Sequence, residues 1–486
     1  MSTPWEAVIG LEVHAELATR TKIFCGCPTT FGQPPNSQVC PVCAGMPGAL
    51  PVLNAEAVRM AALAGMALGG IVADRSRFDR KNYFYPDLPK GYQISQLAMP
   101  IVSGGHLDLP LEEGPKRIRL IRIHLEEDAG KLVHRGSSGL AGATHSLVDL
   151  NRAGVPLIEI VSAPDLANAE EARLYLQELR LVLLTLGVND GRLEEGSLRC
   201  DANVSVRPAG TLALGTRVEI KNLNSFKFLQ KAIESEIQRQ IRRIEAGEPI
   251  VQETRLWQED KGTTVSMRSK EDAADYRYFP DPDLPDVVLD DAWRAAVSKG
   301  LPELPAARRE RGVAAGLSRS EAHQLAGDPA LWHLLETVVG HGTPLRDAAR
   351  WLLGEGLGCL ADAGLDAEAV LDRAGGFARL IELVRAKRLA TPSFRKLVRD
   401  VLVHGAEPEA LAHERGLWLE PDDGSSARIV DEVLRSLPDQ VAQWRSGKHQ
   451  VRGFLVGQVL RALKGKGDPA TVGPLVDRWL ETPTAD

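Results

Sequence analysis

Long apolar runs are missing from this chain of 486 residues, and no stretch approaches the roughly 20 residues a membrane span needs. The N-terminus, Met1-Ser2-Thr3-Pro4-Trp5-Glu6, lacks the basic-then-apolar order of a secretion signal, so a cytoplasmic location is expected. Positive charge is short as well. A formal charge of −7 excludes a protein that holds nucleic acid by bulk attraction, so any RNA contact must come from a local patch. No G-x-x-x-x-G-K-[ST] motif occurs, and Gly465-Lys466-Gly467-Asp468 is too short to replace it, so any ATP site is not a P-loop. Gly136-Ser137-Ser138-Gly139 lacks the lysine and glycine-rich context of an amidase serine stretch and reads as a loop. The six cysteines are few and uneven: Cys25, Cys27, Cys40 and Cys43 share one stretch, while Cys200 and Cys359 stand alone. That distribution is wrong for a secreted disulfide scaffold and suits a metal clip in a reducing compartment.

What remains is an ordinary globular composition, 44% hydrophobic and 25% charged, on a chain long enough for two or three domains. From Val8 to Leu17 apolar residues alternate with Glu12, His14 and Glu16, predicting a half-buried strand. Helices are predicted over 55–68 behind the cap Asn54, over about 169–187, and from Phe226 to Ala246 with Gly247 as the stop. Cys200 to Val206 and Val218 to Ile220 alternate as a hairpin with one charged face. The proline- and aspartate-rich segment from Tyr278 to Asp286 marks a boundary, beyond which the pattern is helical only; a second break lies at 421–426. The expected fold class is α+β: a mixed α/β domain over 1–290, an all-helical domain over 291–405 and a small helical tail over 406–486.

Two motifs carry chemistry. The form C-x-C-x12-C-x2-C can bring Cys25, Cys27, Cys40 and Cys43 to one tetrahedral centre, as a structural zinc needs; the bland alternative is a group of small buried residues. The acidic residues say more. Glu159 interrupts the apolar run Val155 to Val161, where an unpartnered carboxylate would be costly, so a metal or cation partner is expected. Ile121, Ile123 and Leu125 share a strand face that Glu127 continues, while the phase of Ile118 and Leu120 is shifted by one, which points to a bulge. With Glu12 and His14 on the first strand and Asp201 and Glu219 on the hairpin, these carboxylates and one imidazole can converge on Mg²⁺ and a nucleotide phosphate. Glu16, Glu126 and Glu195 read as solvated strand faces. Aromatic and basic residues gather at Arg77 to Asp87 and again at Asp275 to Pro280, where they can line a polar tunnel, stack a base or cap a sheet edge.

At this point the chain resembles a known family. Ile9-Gly10-Leu11-Glu12-Val13-His14, the stretch Phe78 to Asp87, His124 to Lys131, Leu150-Asn151-Arg152 with Pro156 to Val161, Glu194 to Asn203, and Glu219 to Ser225 are similar to the B subunit of glutamyl/aspartyl-tRNA amidotransferases. The similarity spans nearly the whole chain. It implies a cradle-shaped catalytic domain, a helical domain and a tail, in a heterotrimer with an A subunit that releases ammonia from glutamine and a small C subunit. It implies a ligase that phosphorylates the side-chain carboxylate of misacylated Glu-tRNA(Gln) or Asp-tRNA(Asn) with ATP and displaces the phosphate with ammonia. A synthetase that does not discriminate between the tRNAs is an implied further partner; which tRNA is preferred is not legible. Carried over by position, Glu12, His14, Glu127 and Glu159 would form the Mg²⁺ and ATP site with Asp201 and Glu219 near it. Arg152, Lys221 and Asn222 would contact the nucleotide. Lys81, Asn82 and Tyr83, with Glu127, would border an ammonia channel, and the four cysteines would hold zinc.

A non-catalytic zinc-containing RNA-binding module would explain the cysteines and a basic tail, but not carboxylates on strand faces. A self-sufficient glutamine amidase would need a Ser-Lys or Cys-His arrangement that the sequence does not offer. In the tail, residues 441–467 carry Arg445, Lys448, Arg452, Arg461, Lys464 and Lys466 and no acid. One helix bearing Arg445, Lys448 and Arg452 along one side is expected to grip tRNA phosphates.

Overall fold

Strict alternation makes the first strand. In β1 (Trp5–Glu16) Ile9, Leu11, Val13 and Ala15 are fully buried, while Glu12, His14 and Glu16 face the other way and stay partly open. The computed structural model describes residues 4–136, 143–269, 275–419, 425–463 and 469–482. Ten strands form the main sheet: β1, β2 (Ile71–Val72), β3 (Val102–Ser103), β4 (His106–Leu111), β5 (Gly114–Glu127), β6 (Pro156–Ser162), β7 (Leu198–Pro208), β8 (Val218–Lys221), β9 (Glu253–Gln258) and β10 (Thr263–Ser269). Their order is β10-β9-β8-β7-β1-β6-β5-β3-β2, with β4 beside β5, and every pair is antiparallel except β8 with β9.

Register decides which side chains meet. β1 lies between β6 and β7, so His14 faces Glu159 on one side and Arg199 on the other, and Glu12 faces Asp201. Directly opposed residues share a sheet face, so one side collects the polar set. Between β5 and β6, His124 stands opposite Glu159 and Ile123 opposite Ile160. The expected bulge is present: Ile121 is the extra residue where the register shifts, and it is 54% exposed. It switches the phase, which is why Ile118 and Leu120 before it and Ile123 and Leu125 after it are all buried.

The apolar face packs in one core with α1 (Ala55–Ala67), α2 (Ala169–Thr185) and α3 (Phe226–Glu245). Each has a capping side chain: Asn54 accepts from Glu56 N at 2.9 Å, Asn168 from Glu171 N at 2.8 Å, and Ser225 from Phe228 N at 3.1 Å. Residues 79–82 pair with 92–95 and with 279–280, and 75–76 pair with 287–288, forming small sheets. These pairings tie the expected boundary segment into the first unit. The helix α4 (Asp291–Ser298) then follows and packs on α1, with Val297 and Trp293 against the same core. The first compact unit therefore ends at Leu304, beyond the expected 290.

The second unit begins at Pro305 and is helical. One core is built from residues between Leu317 and Ala412, with Leu417 and Trp418 packed on it, so this layer continues past the expected 405. A separate core gathers Val430, Leu434, Leu455, Val459, Val472, Val476 and Leu480. No helix among the described residues is long and apolar enough to cross a membrane.

Candidate active site

The polar face of the sheet has a buried centre. His14 Nε2 lies 3.5 Å from Glu159 Oε2 and 3.7 Å from Glu126 Oε1. His124 Nε2 lies 3.2 Å from the same Glu159 oxygen and 3.6 Å from Glu126 Oε2. Burial alone would raise the Glu159 pKa, but hydrogen bonds from His124 and His14 overcome it and hold the group far below the usual carboxylate range. Burial opposes the charge on His124, yet Glu126 and Glu159 lift it to about 9. Ligand atoms of His14, Glu126 and Glu159 all lie within 4.8 Å of one another. Carboxylate oxygens and one imidazole suit a hard divalent ion, and that charge would displace the imidazole protons.

Beside this centre lies a second acidic group. Glu12 accepts from Asn203 Nδ2 at 2.9 Å; its pKa is raised, first by burial and then by Glu159, Glu219 and Asp201. Lys221 bridges Asp201 and Glu219, at 2.9 Å from the latter, and Thr254 donates to Glu219 at 2.7 Å. An aromatic wall borders the centre. Tyr83, Tyr276 and Tyr278 meet edge to face at 5.9 and 6.2 Å, and Lys81 Nζ lies 5.0 Å from the Tyr276 ring centre. The Tyr83 and Tyr278 hydroxyls hold their protons more firmly than usual, through burial and then the charge of Glu126. Asn82 fixes the wall, donating from Nδ2 to Arg277 O at 2.8 Å and from its backbone N to Tyr276 O at 2.8 Å. Arg277 there has a φ of +40°, a backbone conformation that needs such support.

A cluster of four cysteine thiols lies in the segment after β1. One sulfur from each of Cys25, Cys27, Cys40 and Cys43 falls within 4.8 Å of the others, and Cys40 and Cys43 are 3.9 Å apart. A tetrahedral zinc with bonds of about 2.3 Å would separate its sulfurs by about 3.8 Å, so the four residues fit that ion. Lys22, fully buried, donates to Cys43 Sγ at 3.5 Å and to Leu150 O at 3.1 Å.

Comparison with known proteins follows this geometry along the chain. Residues 7–295 match the GatB/GatE catalytic domain and residues 333–480 match the GatB domain. The B subunits of aspartyl/glutamyl-tRNA(Asn/Gln) amidotransferases are similar end to end. That of Anaeromyxobacter dehalogenans (strain 2CP-1) is 51% identical over 482 residues, covering 98% of this chain and 99% of its own. Those of Geobacter sulfurreducens and Gloeothece citriformis are 49% and 46% identical over 478 and 492 residues, covering 98% and 99% of this chain and 99% of each relative. The chain belongs to this family of amidotransferase B subunits.

The residues expected from that family are not all brought together. His14 and Glu159 meet at the centre, with Glu12, Asp201 and Glu219 beside them. Glu127 does not join them. It continues the face of Ile123 and Leu125, which is the core face, and its carboxylate binds Lys90 Nζ and Ile94 N, the latter at 2.8 Å. There it lines a 280 Å³ cavity with Lys22, Arg80, Lys90, Tyr92, Cys25 and Cys43. Its neighbour Glu126, expected to be solvated, takes the place at His14, and His124, quoted above only within the run His124 to Lys131, joins it. The signal was available: His124 and Glu126 alternate with the apolar Ile123 and Leu125, as Glu12 and His14 do with Leu11 and Val13. Glu16 is likewise only partly open; burial, then Asp128, pushes it up to about 8. Asn222 has a φ of +68° and donates to Trp257 O at 3.1 Å, so its side chain closes a turn.

In the tail the single basic helix is not found. The helix over Pro438–Arg445 ends there, Gly447 turns the chain with a φ of +96°, and a new helix starts at Arg452. Arg452 is paired with Asp477 at 2.5 Å, and Arg445 donates to Thr482 O at 3.0 Å. Lys464 and Lys466 lie outside the described residues, as do Ser137, Ser138 and Gly139 of the loop noted above.

Proposed function

We propose that this chain uses ATP to activate the side-chain carboxylate of misacylated Glu-tRNA(Gln) and Asp-tRNA(Asn) and converts it to the amide, as one member of an amidotransferase of several chains. The observation that carries the reading is the buried His14, Glu126 and Glu159 centre, flanked by Glu12, Asp201 and Glu219, in a chain similar end to end to amidotransferase B subunits. A carboxylate is a poor electrophile. Its oxygen would attack the terminal phosphorus of ATP, ADP would leave, and ammonia would then attack the acyl carbon and expel phosphate, which carries off the surplus proton.

His14, Glu126 and Glu159 would hold Mg²⁺, which when bound supplies positive charge against the crowded phosphates. His124 would orient Glu126 and Glu159 through its ion pairs with both. Lys221 pairs with Asp201 and Glu219 and offsets part of their negative charge beside the centre. Tyr83, Tyr276 and Tyr278 would exclude water from an intermediate that hydrolyses readily. The tetrathiolate loop would carry a structural zinc, since four thiolates leave no open position. Lys81, Asn82 and Tyr83 in the aromatic wall, with Glu127 and Lys90 on the other face of the strand, would border the ammonia route. A partner amidase would supply ammonia from glutamine, a small third subunit would complete the assembly, and a non-discriminating synthetase would supply the misacylated tRNA. The tail's Arg445, Lys448 and Arg452 would contact tRNA phosphates.

The test is amidation by the purified full chain with each misacylated tRNA. With ATP and ammonium salts, product and ADP should form; with glutamine and no partner, none should. ATP consumption that ignores the misacylated tRNA, or product without ATP, would overturn the reading.

A further inference from the structure

At one end of the polar face, two arginines from distant segments are tied to one carboxylate. Asp128, buried behind β5, accepts from Arg152 Nε at 3.0 Å and Nη2 at 2.5 Å on one oxygen, and from Arg199 Nη2 at 3.0 Å on the other. Its second oxygen also takes the Ala129 N–H at 2.9 Å. Glu16 reaches the same knot from β1, 3.5 Å from Arg152 Nε. The carboxylate therefore fixes two planar cations in place while using only part of their donor sets. Arg199 Nε is buried without a hydrogen-bond partner among the described residues. Arg152 Nη1 faces Gly196, where a side chain would come within 3.8 Å of it. Both arginines stay reachable, with 29% and 36% of their side-chain surface open.

Position gives this pair a meaning. Arg199 is the direct cross-strand neighbour of His14, so it borders the centre that would hold the cation. Arg152 comes from the turn that follows the Lys131–Gly136 and Ala143–Asp149 hairpin, and Asp128 brings it across to the same spot. Fixed guanidinium forks with donors to spare match the paired oxygens of a phosphate or a carboxylate, and beside a cation centre a polyphosphate, with several charged oxygens in a row, can engage both forks at once; preorganisation cuts the cost of ordering them. We infer that Arg199 and Arg152 form a phosphate clamp for the polyphosphate of the nucleotide, with Asp128 as the positioning residue that sets their spacing. The inference rests on the ATP-using reading above. It adds Arg199 and Asp128 to the site and gives Glu16 a place in its wall.

Binding of MgATP, of Mg-tripolyphosphate and of adenosine to the full chain separates the outcomes. Arg199→Lys keeps the charge but loses the fork. It should weaken MgATP and tripolyphosphate by about tenfold and leave adenosine and thermal stability unchanged. Asp128→Asn should raise the KM for ATP without moving the KM for misacylated tRNA. If that variant fails to fold, Arg199→Lys and Arg152→Lys still decide the matter. Unchanged MgATP and tripolyphosphate binding in both arginine variants overturns the clamp, as does weakened tRNA binding with intact ATP binding. A wild-type chain that binds MgATP but never amidates would sink the functional reading and leave the clamp standing.

Discussion

The two clusters able to hold a metal are built on opposite plans. The four thiols come from one short segment, residues 25–43, could by themselves complete a tetrahedral shell, and are anchored by the buried ammonium of Lys22. The imidazole and carboxylates come from three strands, β1, β5 and β6, and as three ligands would leave positions on a six-coordinate ion for a substrate. A closed shell drawn from neighbouring residues is a brace; an open one assembled by sheet register is a place for chemistry. The difference predicts where damage should be functional and where it should be structural.

The largest effect should follow loss of an open-shell ligand. Glu126→Gln or Glu159→Gln should slow ATP-dependent activation by about 10²–10³-fold, read as single-turnover ADP release on misacylated tRNA, with little change in melting temperature. Glu127→Gln is the control on the same strand. With free ammonia as donor it should retain far more activation than Glu126→Gln, because its carboxylate faces Lys90 and the cavity. Equal loss in the two variants would erase the distinction between the strand's faces.

His124→Gln sharpens the comparison one layer out. It keeps a polar group near Glu126 and Glu159 but no longer orients both. Mg²⁺ affinity, measured by titration of the full chain, should fall by about 10–100-fold while the nucleotide still binds. Intact Mg²⁺ affinity would show that the two carboxylates are held by the sheet alone.

The brace should fail differently. Cys40→Ser or Cys43→Ser should lower zinc content from near one per chain and reduce the melting temperature by roughly 5 °C or more. Activation per folded molecule should stay within about threefold, since no thiol belongs to the open centre. Zinc-free wild-type protein, purified without chelator and with four titratable thiols, would remove the brace from the picture.

These two plans also explain what could be read in advance. The thiol spacing is local, so the cluster was legible without any fold. The strand β1, its two faces and the cap at Asn54 were legible because alternation and capping act over a few residues. Even the bulge at Ile121 showed in the shifted phase of Ile118 and Leu120. Alternation separates Glu126 from Glu127, but only the pairing of β5 with β6 says which of them meets Glu159. The knot at Asp128 needs three segments to converge, so its pairing shows in none of them alone, although Arg152 was expected at the nucleotide.

The tail gives the smallest expected effect and tests how far charge counting reaches. The stretch 441–467 has no acid of its own, yet Asp477 from the last helix neutralises Arg452 at 2.5 Å. Arg445 sits 5.9 Å from the Trp479 ring and bonds Thr482 O. Both arginines thus hold the last helix as well as adding charge, so reversing either confounds fold with binding. Lys448 is the cleaner probe. It lies exposed in the turn between two helices, and no ion pair engages it among the described residues. Lys448→Glu should weaken tRNA binding modestly, lower the salt slope by about one, and leave the melting temperature alone. Arg452→Glu should lower the melting temperature, because it sets two carboxylates face to face at Asp477. If Lys448→Glu binds tRNA with unchanged affinity and slope, the tail's cations serve its own packing and the tRNA is gripped elsewhere.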